Sequence, residues 1–143
     1  EALLGRIGNG SRISTDRTPE FLHWRYRFAP LRYRAVSLGR GVEDGLVVFR
    51  VRKRGTATEA TICEVLAPEG ASTRTAWKAL KSSGVDYLLK GSAAEGRLHL
   101  ADARRGLVPV PALGPILTWR PVARPMLPTM GQLALGLGDI ELF

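Results

Sequence analysis

Between Thr61 and Leu80 the chain reads as a strand, a proline-stopped turn and a helix: TICEVLAP over 61–68, EGAST over 69–73, and RTAWKAL over 74–80. No other feature constrains the fold as strongly. A strand running into a helix returns most readily to a parallel neighbour through a right-handed crossover, so this stretch predicts a βαβ unit closed by a strand over 85–90. It also sets the first N–H groups of the helix, which lack internal partners, at the end of a sheet, where anions bind.

The elements around this unit follow from local signals. Thr18 and Pro19 mark a helix start, with Thr as N-cap and Pro in the first turn, and the helix is expected over 20–28, stopping before Pro30. Phe21, Trp24 and Phe28 fall on one helical face and are expected to be core. Strands are expected over 32–38 and 46–54, paired antiparallel across the turn 39–45. On the second, Val47, Phe49 and Val51 share one face and Arg50, Arg52 and Arg54 the other. A turn at 55–57 leads into the strand that ends at Pro68, which makes a three-stranded meander. After a stop at Ser83-Gly84, the remaining expectations are a short helix over 93–105, an extended loop over 106–111, and strands over 115–121 and 132–143 joined by a Pro-rich loop at 121–130. Gly136 and Gly138 in the last of these predict close packing of a helix or a second lobe against it. Residues 1–15 read as a loosely structured lead with a short strand near 12–14, and 16–143 as one domain.

Charge and cysteine content narrow the function classes. The formal net charge is +8, and residues 1–54 hold 12 basic and 5 acidic side chains against 9 and 8 in the remainder. A basic half of this kind draws phosphate-bearing partners. No apolar run reaches the ~20 residues of a membrane span. A lone Cys63 excludes an internal disulfide and predicts a cytoplasmic setting. His23 and His99 stand apart without spaced partners, so no metal site is expected.

The order helix, meander, βαβ with a phosphate-type turn, short helix and closing hairpin resembles the GNAT superfamily of acetyl-CoA-dependent N-acetyltransferases over residues 16–143. Residues 18–26, 33–34, 50–55 and 137–143 are more narrowly similar to the C-terminal half of longer, two-lobed bacterial GNAT-like proteins. The resemblance implies an α/β (α+β) fold with a mixed, mostly antiparallel sheet flanked by helices. It also implies acyl transfer from acetyl-CoA to an unknown amine, with a second lobe upstream in the same chain or in a homodimer. In this family pantetheine lies as a pseudo-strand where the strand 62–67 splays from 85–90. Amides of Val65, Leu66 and Ala67 and of the turn at Gly70, Ala71, Ser72, Thr73 and Arg74 then hold the cofactor. This chain departs from the family's turn: Ala71 stands at the Arg/Gln position, Arg74 at the first glycine position, and only Ala76 fits the second. Arg74 thus brings a side chain where glycine lets backbone approach a pyrophosphate, and its guanidinium is a substitute phosphate ligand.

The resemblance makes Glu64 the candidate general base, because members of the family often use a strand carboxylate near the acyl carbon, and attack on a thioester needs a neutral amine. Alternation alone leaves open which face of its strand is buried, and a solvent-facing carboxylate is the simpler expectation. Arg50, Arg52 and Arg54 are read as a substrate or anion patch, or equally as a charged face that guards a sheet edge. Two non-enzymatic readings stand beside acyl transfer: a non-catalytic GNAT-like lobe packed on a catalytic partner, and a basic nucleic-acid-binding module, in which the aromatics of 21–28 serve as stacking platforms. Nucleic acid is the less expected partner.

Overall fold

The computed structural model describes residues 1–7, 11–91, 103–104, 106–110 and 128–140. It is an α+β fold in which one four-stranded mixed sheet is flanked by helices. In chain order the elements are α1 (Ala2–Arg6), α2 (Pro19–Tyr26), β1 (Arg34–Ser37), β2 (Leu46–Arg54), β3 (Ala57–Leu66), α3 (Arg74–Lys81), β4 (Tyr87–Lys90) and α4 (Leu137–Ile140). The strands lie in the order β1-β2-β3-β4. The first three form the antiparallel meander, and β4 joins β3 in parallel after the α3 crossover.

Local chemistry accounts for most of these elements. Thr18 caps α2, its hydroxyl accepting the Phe21 N–H at 3.1 Å, with Pro19 in the first turn. In β2 the residues Val47 and Phe49 point to the same side as Ala60 and Ile62 of β3. There they meet Ala76, Trp77 and Leu80, the inward side of α3, to form the main core. Positions 76, 77 and 80 lie on one helical face, so α3 needs no other apolar residues to dock.

One irregularity decides where the chemistry sits. The β2–β3 register shifts between Val48, opposite Glu64, and Phe49, opposite Ile62, so Cys63 is the extra residue of a β-bulge. Strict alternation would put Ile62 and Glu64 on the same face. The bulge turns them apart: Ile62 faces α3, and Glu64 emerges on the opposite face of the sheet, away from the core.

Several expectations are corrected. Phe21, Trp24 and Phe28 are not core: no residue of α2 is buried, and Trp24 is 66% exposed. The reason is that α2 docks through the polar groups of Arg25 and Tyr26 rather than through its apolar stripe. The strand expected over 132–143 is replaced by the turn Met130–Gln132, a single bridge from Leu133 to Ile13, and α4. Asp139 explains the change. Its carboxylate reaches back to the Gly136 N–H at 2.7 Å, capping a helix start that an extended chain lacks. The lead is also more ordered than expected, since α1 buries Leu3, although the bridge at Ile13 agrees with a short strand near 12–14. The strand expected at 115–121, the Pro-rich loop and most of the helix over 93–105 fall outside the described residues.

Among the described residues no helix is long and apolar enough to cross a membrane.

Candidate functional site

The bulge delivers Glu64 to a buried polar network drawn from three distant segments. Arg17 lies at the centre. Its Nε donates to Glu64 Oε2 at 2.8 Å, one Nη to Asp139 Oδ2 at 2.8 Å, and the other Nη to the Thr15 carbonyl at 2.8 Å. Tyr26 Oη donates to the second oxygen of Glu64 at 3.1 Å, and Thr15 Oγ1 donates to Asp139 Oδ1 at 2.5 Å. Arg25 braces this arrangement from behind, donating to the Gly138 carbonyl at 2.9 Å and to Tyr33 Oη at 3.3 Å.

Two carboxylates thus share one guanidinium. The carboxyl of Glu64 is pushed above its ordinary value, first by burial. The hydrogen bond and charge of Arg17 oppose this in part, and the nearby charge of Asp139 adds to it. Burial works against the charge on Arg17, but its bonds to Glu64 and Asp139 outweigh that and hold it more firmly protonated than usual. The Tyr26 phenol, buried and beside Glu64, is raised far above its ordinary value and stays a donor. Arg17 is thus held charged, while burial makes the charged form of Glu64 costlier than it is in water.

Glu64 and Arg17 line a cavity of about 650 Å³. The cavity exists because β3 outruns its neighbour: the last β3–β4 pair is Ile62 with Lys90, while β3 continues to Leu66. It is lined by residues 62–66, Lys90 and Gly91, by residues 134–137 and the 14–19 segment, and by Glu1, Leu4, Ile7 and Arg12. Val65, 41% exposed, and Leu66 line it as well.

Approach of the C-terminal segment here requires glycine. A Cβ on Gly138 would lie 2.8 Å from the Cys63 carbonyl and 2.9 Å from Glu64 Oε1, and would collide with Tyr26 Oη. Close packing is thus present at Gly136 and Gly138, but its partner is the bulge of β3 rather than the expected helix or second lobe. Gly138→Ala is expected to destabilise the protein by about 1–3 kcal/mol in urea unfolding. Gly131→Ala, where a Cβ meets nothing within 4 Å, is the control and should leave the midpoint unchanged.

The turn after β3 forms a separate hollow of about 350 Å³, lined by residues 68–72 together with Arg6, Leu38 and Asp44. Gly70, at φ +76°, takes the third position of a β-turn closed by the Ala71 N–H on the Pro68 carbonyl at 3.0 Å. Thr73 is the N-cap of α3 but gives no side-chain cap, because its hydroxyl accepts from Trp77 Nε1 at 3.2 Å. Arg74 is exposed at the first helical position, and Ser72 Oγ lies 3.4 Å from its N–H.

Arg50, Arg52 and Arg54 line neither hollow. Arg52 Nε lies 2.7 Å and Arg54 Nε 3.7 Å from the buried Glu59, which also accepts from Thr61 at 2.8 Å and Tyr87 at 2.9 Å. Burial opposes the charge of Glu59, but the bonds from Arg52, Thr61 and Tyr87 outweigh it and hold the carboxyl below its ordinary value. Much of the charge in this patch is thus spent inside the sheet.

Of the sequence-derived candidates, then, the structure gathers Glu64, Val65 and Leu66 at one cavity and Gly70, Ala71 and Ser72 at another. Arg17, Tyr26, Thr15 and Asp139 had no sequence signal as site residues, apart from the Gly-x-x-Asp helix start at 136–139. Among the described residues no cluster of His, Cys, Asp and Glu is placed to hold a metal ion. No protein-family model, curated protein or solved structure matches the chain, so the reading of function rests on this geometry.

Proposed function

We propose that this domain is an acyl-CoA-dependent N-acyltransferase of the GNAT type, with Glu64 as the base that takes the proton of an acceptor amine. The observation that carries the reading is a buried carboxylate, raised above its ordinary value, facing the cavity opened where β3 outruns β4. A strand edge beside a cavity of that size suits an extended pantetheine arm, with Val65 and Leu66 alongside. The first turn of α3, which lacks a side-chain cap from Thr73 and has Arg74 and Ser72 exposed at it, suits the phosphates at the far end. Bound there, an acyl-CoA supplies an activated thioester carbon.

The chain's own residues then have separable duties. A carboxylate offers about four lone-pair sites, and Arg17 and Tyr26 take two, which leaves Glu64 able to accept an amine proton. As the amine nitrogen bonded to the acyl carbon, Glu64 would take its proton; the sulfur would leave as a thiolate and then receive that proton from Glu64, directly or through water, which resets the base. Arg17 and Tyr26 are positioning residues: they hold the carboxylate in one orientation and touch no reacting atom.

Titration with acetyl-CoA tests this. Ligand a hundredfold above its dissociation constant should raise stability by about 2.7 kcal/mol, read as a rise in unfolding temperature. No stabilisation at millimolar acetyl-CoA would favour a non-catalytic GNAT-like lobe. One observation supports that second reading: both oxygens of Glu64 already hold hydrogen bonds that tie the fold together.

A further inference from the structure

The outward side of α2 has a composition suited to a partner. Trp24 is 66% and Phe28 50% exposed, and the Phe21 ring lies 5.9 Å from that of Trp24. Residues 21–42 carry Arg25, Arg27, Arg32, Arg34 and Arg40 and no Asp or Glu. Arg25 is turned inward to the Gly138 carbonyl, within 5.6 Å of the Tyr26 ring. Arg27, Arg32 and Arg34 are exposed and make no ion pair among the described residues.

The charge says what covers these rings. Protein–protein contacts are also enriched in Trp and Arg, but their buried centre is otherwise depleted of charge. Interfaces with nucleic acid are far more positive, and single-strand binders combine a cationic track with ring faces on which bases stack. Three exposed guanidiniums in the same stretch as an exposed indole, with the exposed Glu20 one turn before it as the nearest carboxylate in sequence, come nearer the second pattern. Guanidinium also presents the planar fork that suits phosphate oxygens, and a net charge of +8 steers a polyanion toward the molecule.

We infer that the exposed rings of Trp24 and Phe28, with the exposed guanidiniums of Arg27, Arg32 and Arg34 in the same stretch, bind single-stranded nucleic acid, bases stacking on the rings and phosphates pairing with the guanidiniums. The site is independent of the acyltransferase reading. Trp24 and Tyr26 are two residues apart on the helix, about 200° around its axis, so the face that stacks bases is not the one that reaches Glu64.

The test is fluorescence anisotropy with labelled oligothymidylate and oligouridylate of about 12 nucleotides at about 50 mM salt. The protein binds at least one of them, and the two arms distinguish DNA from RNA. Trp24→Ala should weaken binding about 5- to 150-fold, with Trp24→Phe retaining most of the affinity. Because Trp24 is exposed, the urea midpoint of Trp24→Ala should match that of the unaltered protein. Removing Arg27 and Arg32 together should flatten the log–log salt dependence by about 1.4. Heparin, which has charge but no bases, should bind the unaltered protein and Trp24→Ala alike. Three results would overturn the proposal: no binding of either oligonucleotide, an affinity unchanged by Trp24→Ala, or a dimer in sedimentation that Trp24→Ala dissolves.

Discussion

Replacing Arg17 with Met is expected to destabilise the protein by about 3–5 kcal/mol at neutral pH, measured by urea unfolding. The side chains of Glu64 and Asp139 are only 4% and 5% exposed, and Arg17 bonds to both at 2.8 Å. Methionine keeps much of the volume and removes the charge, so two buried carboxylates are left facing each other with no cation between them. Against a typical total of about 5–15 kcal/mol for a small domain, such a loss is a large fraction. Arg17→Lys should recover only part of it, since one ammonium cannot reproduce a fork that reaches Glu64, Asp139 and the Thr15 carbonyl at once. Glu64→Gln on the Arg17→Met background should return more than 1 kcal/mol, because the neutral amide no longer needs the cation. A midpoint for Arg17→Met within 0.5 kcal/mol of the parent protein, the ordinary range for a surface substitution, would show that the network is not what joins the N- and C-terminal segments to β3.

What the sequence made legible, and what it hid, follows from the range of the forces involved. The bounds of β2 at 46 and 54 were readable because alternating valine, phenylalanine and arginine is a nearest-neighbour pattern. The start of α2 was readable from Thr18 and Pro19, and α3 from the turn that precedes it and the Ser83-Gly84 stop that follows it. The bulge at Cys63 was not, because a bulge is a property of two strands in register and leaves no mark on either alone. Since the bulge sets the face on which Glu64 emerges, the burial of the candidate base was hidden with it. Arg17 meets Glu64 and Asp139 across 47 and 122 residues, which no local spacing reports. The stripe 21, 24, 28 misled for a different reason: helical periodicity shows that residues share a face, not that anything covers the face. Gly136 and Gly138 were informative about close packing even though the element around them is α4 rather than a strand, because a missing side chain limits distance whatever the backbone does.

Glu64→Gln separates catalysis from architecture. The amide keeps the shape of the carboxylate and part of its hydrogen bonding while losing the ability to take a proton. If Glu64 is the base, kcat should fall about 10²–10⁴-fold, with acetyl-CoA affinity by calorimetry unchanged, since the proposed cofactor contacts come from Val65, Leu66 and the turn. The pH dependence is a second reading of the same group. A carboxyl whose folded pKa lies above its ordinary 4.5 binds more protons in the folded state than in the unfolded one. Its contribution is therefore fully present below about 4.5 and is lost as pH rises through the folded pKa. Glu59, held below its ordinary value, acts in the opposite sense and in a lower window: its contribution is present above 4.5 and lost as pH falls through its folded pKa. A comparison of Glu64→Gln with the unaltered protein above pH 4.5 consequently isolates Glu64, and the downward slope of stability with pH in that window should disappear in the variant. Activity of the unaltered enzyme should rise with pH across the same window, as the base loses its proton. A Glu64→Gln variant that loses the stability slope but keeps full turnover would leave Glu64 a structural carboxylate and remove it as the base; loss of turnover together with acetyl-CoA binding would point instead to collapse of the cavity.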